Sequence, residues 1–173
     1  MKPFACIITG TGGSGKTATA NQLAKMFKKT AVVEVDSLRQ MVKNGYSSPN
    51  EGKKAGKQLR LATNNSIAIA RNFLKEGFTV FIDDVLLSGE AFKYYEESLK
   101  GYKVHVFALL PHERVLRGRL RKRKETKKWT ERFLTLHERF HETKSAGHWH
   151  SVDNSRLNAK QTAAAIAKIA KGK

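Results

Sequence analysis

The segment Gly10–Thr17 reads GTGGSGKT and constrains the fold of this chain more than any other part of the sequence. It matches the pattern G-x-x-x-x-G-K-[ST], in which a glycine-rich loop joins a strand to a helix. The apolar run Phe4–Thr9 precedes it, and apolar residues at helical spacing follow it through Leu23 and Phe27. The sequence therefore predicts a strand, a tight loop that surrounds phosphate groups, and a helix.

The residue types of this loop suit a nucleoside triphosphate and Mg²⁺. Glycines allow successive backbone N–H groups to turn inward around phosphate oxygens, and the helix N-terminus adds partial positive charge. Lys16 would reach the β- and γ-phosphates, and the Thr17 hydroxyl would complete the shell of a Mg²⁺ ion. We therefore predict an ATP·Mg²⁺ site formed by Gly10, Thr11, Gly12, Gly13, Ser14, Gly15, Lys16 and Thr17.

Phosphate loops of this kind serve several classes of protein, and the rest of the sequence narrows the choice. The base-reading N-K-x-D motif of GTPases does not occur in it. With 173 residues, the chain is also too short for the additional helical domain of a ring-forming ATPase. The remaining class is the small phosphotransferases, in which one α/β unit binds ATP and closes over an acceptor hydroxyl.

Predicted strands alternate with helices along the whole sequence. The strands cover 4–9, 31–36, 78–83, part of 101–110 and about 148–152, and Asn158 with Gln161 predicts a capping box at the start of a last helix. Such alternation predicts a three-layer α/β P-loop NTPase fold, with a five-stranded parallel sheet, helices on both faces and a basic lid. No repeat or linker divides the sequence, so we expect residues 1–173 to form one domain.

Acidic residues follow two of these strands, at the edge of the sheet where ligands of doubly wound folds bind. Asp36 ends the second predicted strand, and Arg39 lies one helical turn further. An acceptor hydroxyl needs a carboxylate to orient it and take its proton, and an arginine can hold an anion. The alternative is that Asp36 only caps a helix. After the third strand, one of Asp83 and Asp84 would hold Mg²⁺ through water or position the acceptor, and the other could be a turn or cap residue. Asp83 is our first choice as the functional residue.

The segment from Pro111 to Lys128 holds nine Lys or Arg residues and two Glu residues. The start of the segment has a helical pattern, but the segment then becomes too charged to bury a face, which predicts a mobile, solvated region. It follows the fourth strand on the ligand side, so its arginines are well placed to fold onto ATP phosphates. We therefore expect a lid at about residues 114–128.

Together, Gly10–Thr17, Asp36-x-x-Arg39, Asp83-Asp84 and Arg119-Leu-Arg-Lys-Arg123 resemble the small P-loop kinases of the chloramphenicol phosphotransferase, gluconate and shikimate kinase, and zeta-toxin type. The Asp36-x-x-Arg39 pair also resembles the kinase domain of polynucleotide 5′-kinase. The resemblance implies that Asp36 is the general base and that Arg39 contacts the acceptor or a phosphate.

The same resemblance implies roles for residues nearer the C-terminus. Arg119 would pack near adenine, Arg123 would reach the phosphates, and the loop Asp153-Asn154-Ser155 would lie on the adenine side. The lid differs from the zinc-stapled lids of some nucleotide kinases, because it contains no cysteine cluster. The sequence also lacks a strong acceptor signature for shikimate, gluconate or a nucleoside monophosphate.

A competing pattern is His137-Glu-Arg-Phe-His141, which matches H-E-x-x-H and would place two histidines on one helical face to bind zinc. His148, His150 or Glu142 is a candidate third ligand. The motif H-E-x-x-H specifies only three of its five residues, so it arises easily by chance in an amphipathic helix that contains His and Glu. The alternation of strands and helices in this sequence is also not typical of metalloproteases. We therefore interpret these histidines as part of a helix beside the acceptor pocket or on the surface.

The chain has 33 Lys or Arg residues against 15 Asp or Glu residues, a formal net charge of +18. This positive charge is greater than ATP binding requires. A basic cluster also lies where the acceptor-binding helices are expected, at Lys53, Lys54, Lys57 and Arg60. Aromatic residues at strand and helix spacing are interpreted as core, so the sequence shows no platform for stacking bases. They are Phe73, Phe78, Phe81, Phe107, Trp129 and Phe133.

We accordingly predict that the acceptor is a small molecule, with a polynucleotide 5′-hydroxyl as the alternative. A third possibility is a module that binds ATP to regulate a partner. The single cysteine, Cys6, and the lack of a long apolar run predict a cytoplasmic protein without membrane contact. We expect a monomer or a homodimer.

Overall fold

A single parallel sheet organises the computed structural model, which describes residues 2–49, 51–143 and 149–172. The order of strands is β2-β3-β1-β4-β5, and every neighbouring pair is parallel. The prediction of a five-stranded parallel α/β sheet is confirmed. The strands are β1 (Phe4–Thr9), β2 (Thr30–Glu34), β3 (Thr79–Asp83), β4 (Lys103–Leu109) and β5 (His150–Val152).

Helices make the crossover connections that parallel strands require. They are α1 (Lys16–Ala24), α2 (Val35–Arg39), α3 (Gly52–Lys75), α4 (Gly89–Ser98), α5 (Glu113–Lys122), α6 (Lys127–Thr143) and α7 (Ala159–Ala170). The capping box of α7 is present, since the Asn158 side chain accepts from the Gln161 N–H and the Gln161 side chain accepts from the Asn158 N–H, each at 2.9 Å. None of the described helices is long and apolar enough to cross a membrane.

Alternate residues of β1 enter different halves of the core, as the two-residue period of a strand requires. Ala5 and Ile7 pack beneath α3 and α4, whereas Phe4, Cys6 and Ile8 pack beneath α1 and α7. Helices therefore cover both faces of the sheet. Burial raises the pKa of the Cys6 thiol, so the thiol stays protonated.

The end of β2 differs from the prediction. The strand ends at Glu34, and the backbone becomes helical at Val35, whose side chain is buried. Asp36 is therefore the second residue of α2 and does not end a strand. Glu34 is the N-cap residue, and its side chain makes no capping hydrogen bond. The alternative that Asp36 only caps this helix is therefore wrong.

The basic segment 111–128 was predicted to begin as a helix and then to become mobile and solvated. The helical start is confirmed, but the predicted loss of buried surface is wrong for residues up to 122. Residues 113–122 form α5, and Leu116 and Leu120 lie one turn apart on its buried face. Two leucines at this spacing give even a highly charged helix an apolar stripe to pack. Between α5 and α6 the chain makes a non-helical turn at residues 123–126, in which Lys124 has a φ of 56°.

Candidate active site

The glycine-rich loop joins the end of β1 to the start of α1, at the carboxyl edge of the sheet. Gly10, Gly13 and Gly15 have φ values of 135°, 83° and 103°, which favour glycine because it lacks a Cβ. These conformations explain why the sequence needs glycine at several positions of one short loop. Ser14 N–H donates to the Thr11 carbonyl at 3.2 Å and closes the turn.

Lys16, Thr17 and Asp83 lie together beside this loop. The Thr17 hydroxyl donates to Asp83 Oδ2, and Lys16 Nζ lies 3.7 Å from Asp83 Oδ1. A hydroxyl and a carboxylate in contact are the hard oxygen ligands that Mg²⁺ prefers, so the residues present fit a magnesium ion. Sequence reasoning named all three, and the structure brings them together across 66 residues of chain.

Two helices support the loop from its other side. The Phe133 ring on α6 lies against Gly12, where an added Cβ would be 2.5 Å from Cε1 of the ring. A Cβ added at Gly13 would lie 2.8 Å from Leu120 Cδ2 and 3.0 Å from Leu116 Cδ1, both on α5. The predicted lid region is therefore packed directly against the phosphate loop, and the absence of side chains on both glycines allows that packing.

Arg119 and Asn154 meet at the same loop. Both donate to the Ser14 carbonyl at 2.9 Å, Arg119 through Nη1 and Asn154 through Nδ2. Arg119 Nη2 also donates to the Asn154 carbonyl at 2.9 Å. Burial lowers the pKa of Arg119, although the guanidinium remains charged. Arg123, one turn further along the chain, is exposed at the end of α5.

Asp36 and Arg39 form an ion pair on α2, with Arg39 Nη2 3.6 Å from Asp36 Oδ1. Their environments are unequal, because the Asp36 side chain is 71% exposed and that of Arg39 only 8%. Arg39 Nη2 also donates to the Tyr46 hydroxyl at 3.0 Å, while its buried Nε has no hydrogen-bond partner. The arginine thus keeps an unused donor beside Asp36.

Asp84 points to a different part of the site from Asp83. Its Oδ2 accepts from the Tyr95 hydroxyl at 2.8 Å, and its Oδ1 accepts from the Val85 N–H at 2.7 Å. The Tyr95 hydroxyl also lies 2.9 Å from Ser66 Oγ. Burial raises the pKa of Asp84 to about 6, against the lowering effect of these hydrogen bonds. Nothing in the local sequence around Ser66 or Tyr95 indicated this network.

A cleft of about 900 Å³ adjoins these groups, bordered by Asp36, Arg39 and Asp84 among others. Four aromatic side chains also line it: Tyr46, Tyr94, Trp129 and Phe133. The interpretation as core is therefore wrong for Trp129, whereas Phe133 borders the cleft and also packs against the buried cluster of Leu116, Leu120 and Leu134. Phe73 is likewise 38% exposed, whereas Phe81 and Phe107 are fully buried as predicted. Arg132, which also lines the cleft, had no recognisable signal in the sequence.

His137 and His141 lie on one face of α6, with their Nε2 atoms 3.1 Å apart. In the ranges that the structure describes, no cluster of three His, Cys, Asp or Glu residues could hold a metal ion. His150 stacks on Phe107 with ring centroids 5.0 Å apart, and His148 lies outside the described residues. The zinc-protease pattern therefore has no third described ligand.

The strand order, the glycine-rich loop between β1 and α1, and the cleft beside it define the fold of the small P-loop kinases. This chain belongs to the family described as AAA domain, whose model matches residues 6–143. Among curated proteins, no sequence matches it significantly.

Several solved structures share the fold. The Deinococcus radiodurans tunicamycin resistance protein has a TM-score of 0.73 and 21% identity over 97% of this chain and 95% of that one. Shikimate kinase from Acinetobacter baumannii, in complex with shikimate, has a TM-score of 0.67 and 15% identity over 98% and 94%. A chain of the Pnkp1/Rnl/Hen1 RNA repair complex has a TM-score of 0.66 and 20% identity over 83% of this chain and 46% of that one.

Proposed function

We propose that this protein transfers the γ-phosphoryl group of ATP to a hydroxyl of an acceptor bound in the cleft. The observation that carries the proposal is the juxtaposition at one sheet edge of Lys16, Thr17 and Asp83 with a cleft bordered by Asp36, Arg39 and Asp84. A phosphotransferase needs a phosphate loop and an acceptor pocket that share a wall. Phe133 supplies such a wall, because it contacts Gly12 and also borders the cleft.

In this proposal the phosphate loop and its neighbours hold ATP. Backbone N–H groups of Gly10–Thr17 bind phosphate oxygens, and Lys16 neutralises charge on the β- and γ-phosphates. Thr17 and Asp83 would hold Mg²⁺, which neutralises phosphate charge when bound. Arg119 and Asn154 fix the Ser14 carbonyl on the adenine side. Arg123, exposed at the end of α5, is the proposed contact for the phosphates.

Asp36 and Arg39 are the proposed acceptor residues. The acceptor oxygen forms a bond to the γ-phosphorus while the bond from that phosphorus to the β–γ bridging oxygen breaks, and ADP leaves. The proton of the hydroxyl passes to the carboxylate of Asp36. Arg39, whose buried Nε is unpartnered, donates to an anionic group of the acceptor or to the transferring phosphoryl group.

The sequence favours a small molecule as acceptor, with a polynucleotide 5′-hydroxyl as the alternative. Both present a hydroxyl to the same carboxylate, so the proposed reaction holds for either. Solved relatives include a tunicamycin resistance protein and a kinase bound to shikimate, which supports a small acceptor, and also a component of an RNA repair complex.

Incubation with γ-labelled ATP and panels of antibiotics, sugars, nucleosides and 5′-hydroxyl oligonucleotides tests the proposal. We expect labelled product from at least one acceptor, and a loss of at least about 10²-fold in Lys16→Ala. Lys28→Ala, an exposed lysine away from the loop, is the matched control. Label in free phosphate alone, across all acceptors, would instead favour the module that binds ATP to regulate a partner.

A further inference from the structure

The first half of α3 presents positive charge that the ATP site does not use. This helix contains six Lys or Arg residues and no acidic residue. Lys53, Lys57 and Arg60 follow one another at intervals of four and three residues, so they lie on one face, and all three are exposed. Within the described residues, none of the three forms an ion pair.

This basic face leads into the cleft. Arg60 borders the cleft, and Asn64, one turn further along α3, accepts from the Tyr94 hydroxyl at 2.7 Å. Tyr94 also borders the cleft. Since the rise of an α-helix is 1.5 Å per residue, the line from Lys53 to Asn64 is about 16 Å long. A ligand bound in the cleft could therefore continue along the lysines without a break.

The cleft itself offers aromatic surfaces. Tyr46 and Tyr94 are 40% and 44% exposed, and Trp129 stacks on Phe133 with ring centroids 5.5 Å apart. Proteins that bind single-stranded nucleic acid combine a positively charged track for the backbone with aromatic side chains for the bases. The absence of an aromatic platform was the objection that the sequence raised against a nucleic acid, and the tertiary structure removes it.

We propose that the acceptor is the 5′ end of a single-stranded nucleic acid, whose terminal nucleoside enters the aromatic cleft and whose phosphates lie along Lys53, Lys57 and Arg60. This inference rests on the proposed function: the 5′-hydroxyl gives its proton to Asp36, and its oxygen bonds to the γ-phosphorus while the bond to the β–γ bridging oxygen breaks and ADP leaves. Four acidic residues border the cleft, namely Asp36, Asp84, Glu90 and Glu125, but none of them belongs to α3, which contains no acid. A small neutral acceptor would leave this charge without a partner.

Binding is measured by fluorescence anisotropy with a 3′-labelled, 5′-hydroxyl oligo(dT) of about ten nucleotides, within the usual site size of such proteins. The variant combines Lys53→Gln, Lys57→Gln and Arg60→Gln. We expect its affinity to fall about 10-fold or more, and the slope of log K against log salt concentration to lessen by about 2, because three phosphate contacts are lost. The charge-matched control combines Lys28→Gln, Lys100→Gln and Lys168→Gln, all exposed and away from the cleft. If both triple variants lose the same affinity for the oligonucleotide, the loss is explained by the lower net charge alone, and the inference is overturned.

Phosphoryl transfer is measured with the same oligonucleotide and γ-labelled ATP. We expect label on the 5′-hydroxyl strand, and we expect the 5′-phosphorylated strand to compete without becoming labelled. Label on a sugar, antibiotic or nucleoside but never on the oligonucleotide would overturn this inference and leave the proposed function standing. No label on any acceptor would overturn the proposed function itself. Binding to phosphatidylserine vesicles, with the same dependence on α3 but without binding to oligo(dT), would assign the basic face to a membrane and also overturn the inference.

Discussion

The Thr11 hydroxyl donates a hydrogen bond of 2.8 Å to the backbone carbonyl of Phe133, 122 residues further along the chain. The Phe133 ring lies against Gly12 at the same point, where the lack of a side chain on the glycine lets the phosphate loop approach α6. Phe133 also borders the cleft. A shift of α6 therefore moves a wall of both halves of the proposed active site.

Gly12→Ala tests this contact. The new Cβ would lie 2.5 Å from the ring of Phe133, so α6 must move or the loop must distort. We expect the free energy of unfolding to fall by about 1–3 kcal/mol, as in other overpacked sites. We also expect weaker ATP binding by calorimetry. Gly118→Ala on α5 is the control, because its Cβ meets nothing within 4 Å and alanine favours a helix by about 1 kcal/mol. Equal stability of the two variants would contradict the contact's importance.

Asp36→Asn separates acceptor chemistry from ATP binding. The side chain is 71% exposed and pairs with Arg39 rather than with a residue of the phosphate loop, so ATP affinity should stay within about 2-fold of the wild type. Transfer to the acceptor should fall by about 10²–10⁴-fold, the usual scale for a lost general base. Glu96→Gln, an exposed acid on α4 that does not border the cleft, makes the same chemical change as a control. Near-normal transfer by Asp36→Asn would remove Asp36 from the mechanism.

Arg119→Ala removes two hydrogen bonds that join α5 to the phosphate loop and to the loop after β5. Each bond from a charged donor contributes about 1.5–3 kcal/mol, so we expect ATP to bind at least about 10-fold more weakly. Arg121→Ala, on the exposed face of the same helix, should bind ATP as the wild type does. If both variants lose affinity equally, general charge attraction rather than the Ser14 contact explains the loss.

His137 should make stability depend on pH. Burial, and then the neighbouring His141, lower the pKa of His137 below its usual value of 6.5. Because the unfolded chain binds the proton more readily, the stability due to neutral His137 is present above the unfolded pKa and is lost as the pH falls through the lowered folded value. Urea unfolding at about pH 7.5 and about pH 5 should show a smaller loss of stability in His137→Gln than in the wild type. Parallel losses in the two proteins would contradict this account.

Local sequence patterns were sufficient to predict three features of the fold. The apolar run Phe4–Thr9, the loop that follows it and the capping box at Asn158 and Gln161 depend on residues close together in the chain, and all were predicted. The boundary at Asp36 was missed, because β-branched residues favour a strand until tertiary packing of Val35 starts a helix.

Spacing alone could not say which way a side chain faces. Trp129 and Phe133 lie four residues apart, so the sequence predicts that they share a helical face, but both a core and a cleft require such a face. The same holds for Leu116 and Leu120, whose partner is Gly13, a residue with no side chain to indicate the contact.

The sequence by itself determined that this chain forms a phosphate loop between a strand and a helix of a parallel α/β sheet, since that motif is local in geometry and chemistry. Only the tertiary structure decided that Asp83 turns toward Thr17 while Asp84 turns toward Tyr95 and the cleft. The side chains of two successive residues at the end of a strand point to opposite faces of the sheet. Which of them faces the proposed ATP site depends on the helices packed on each face.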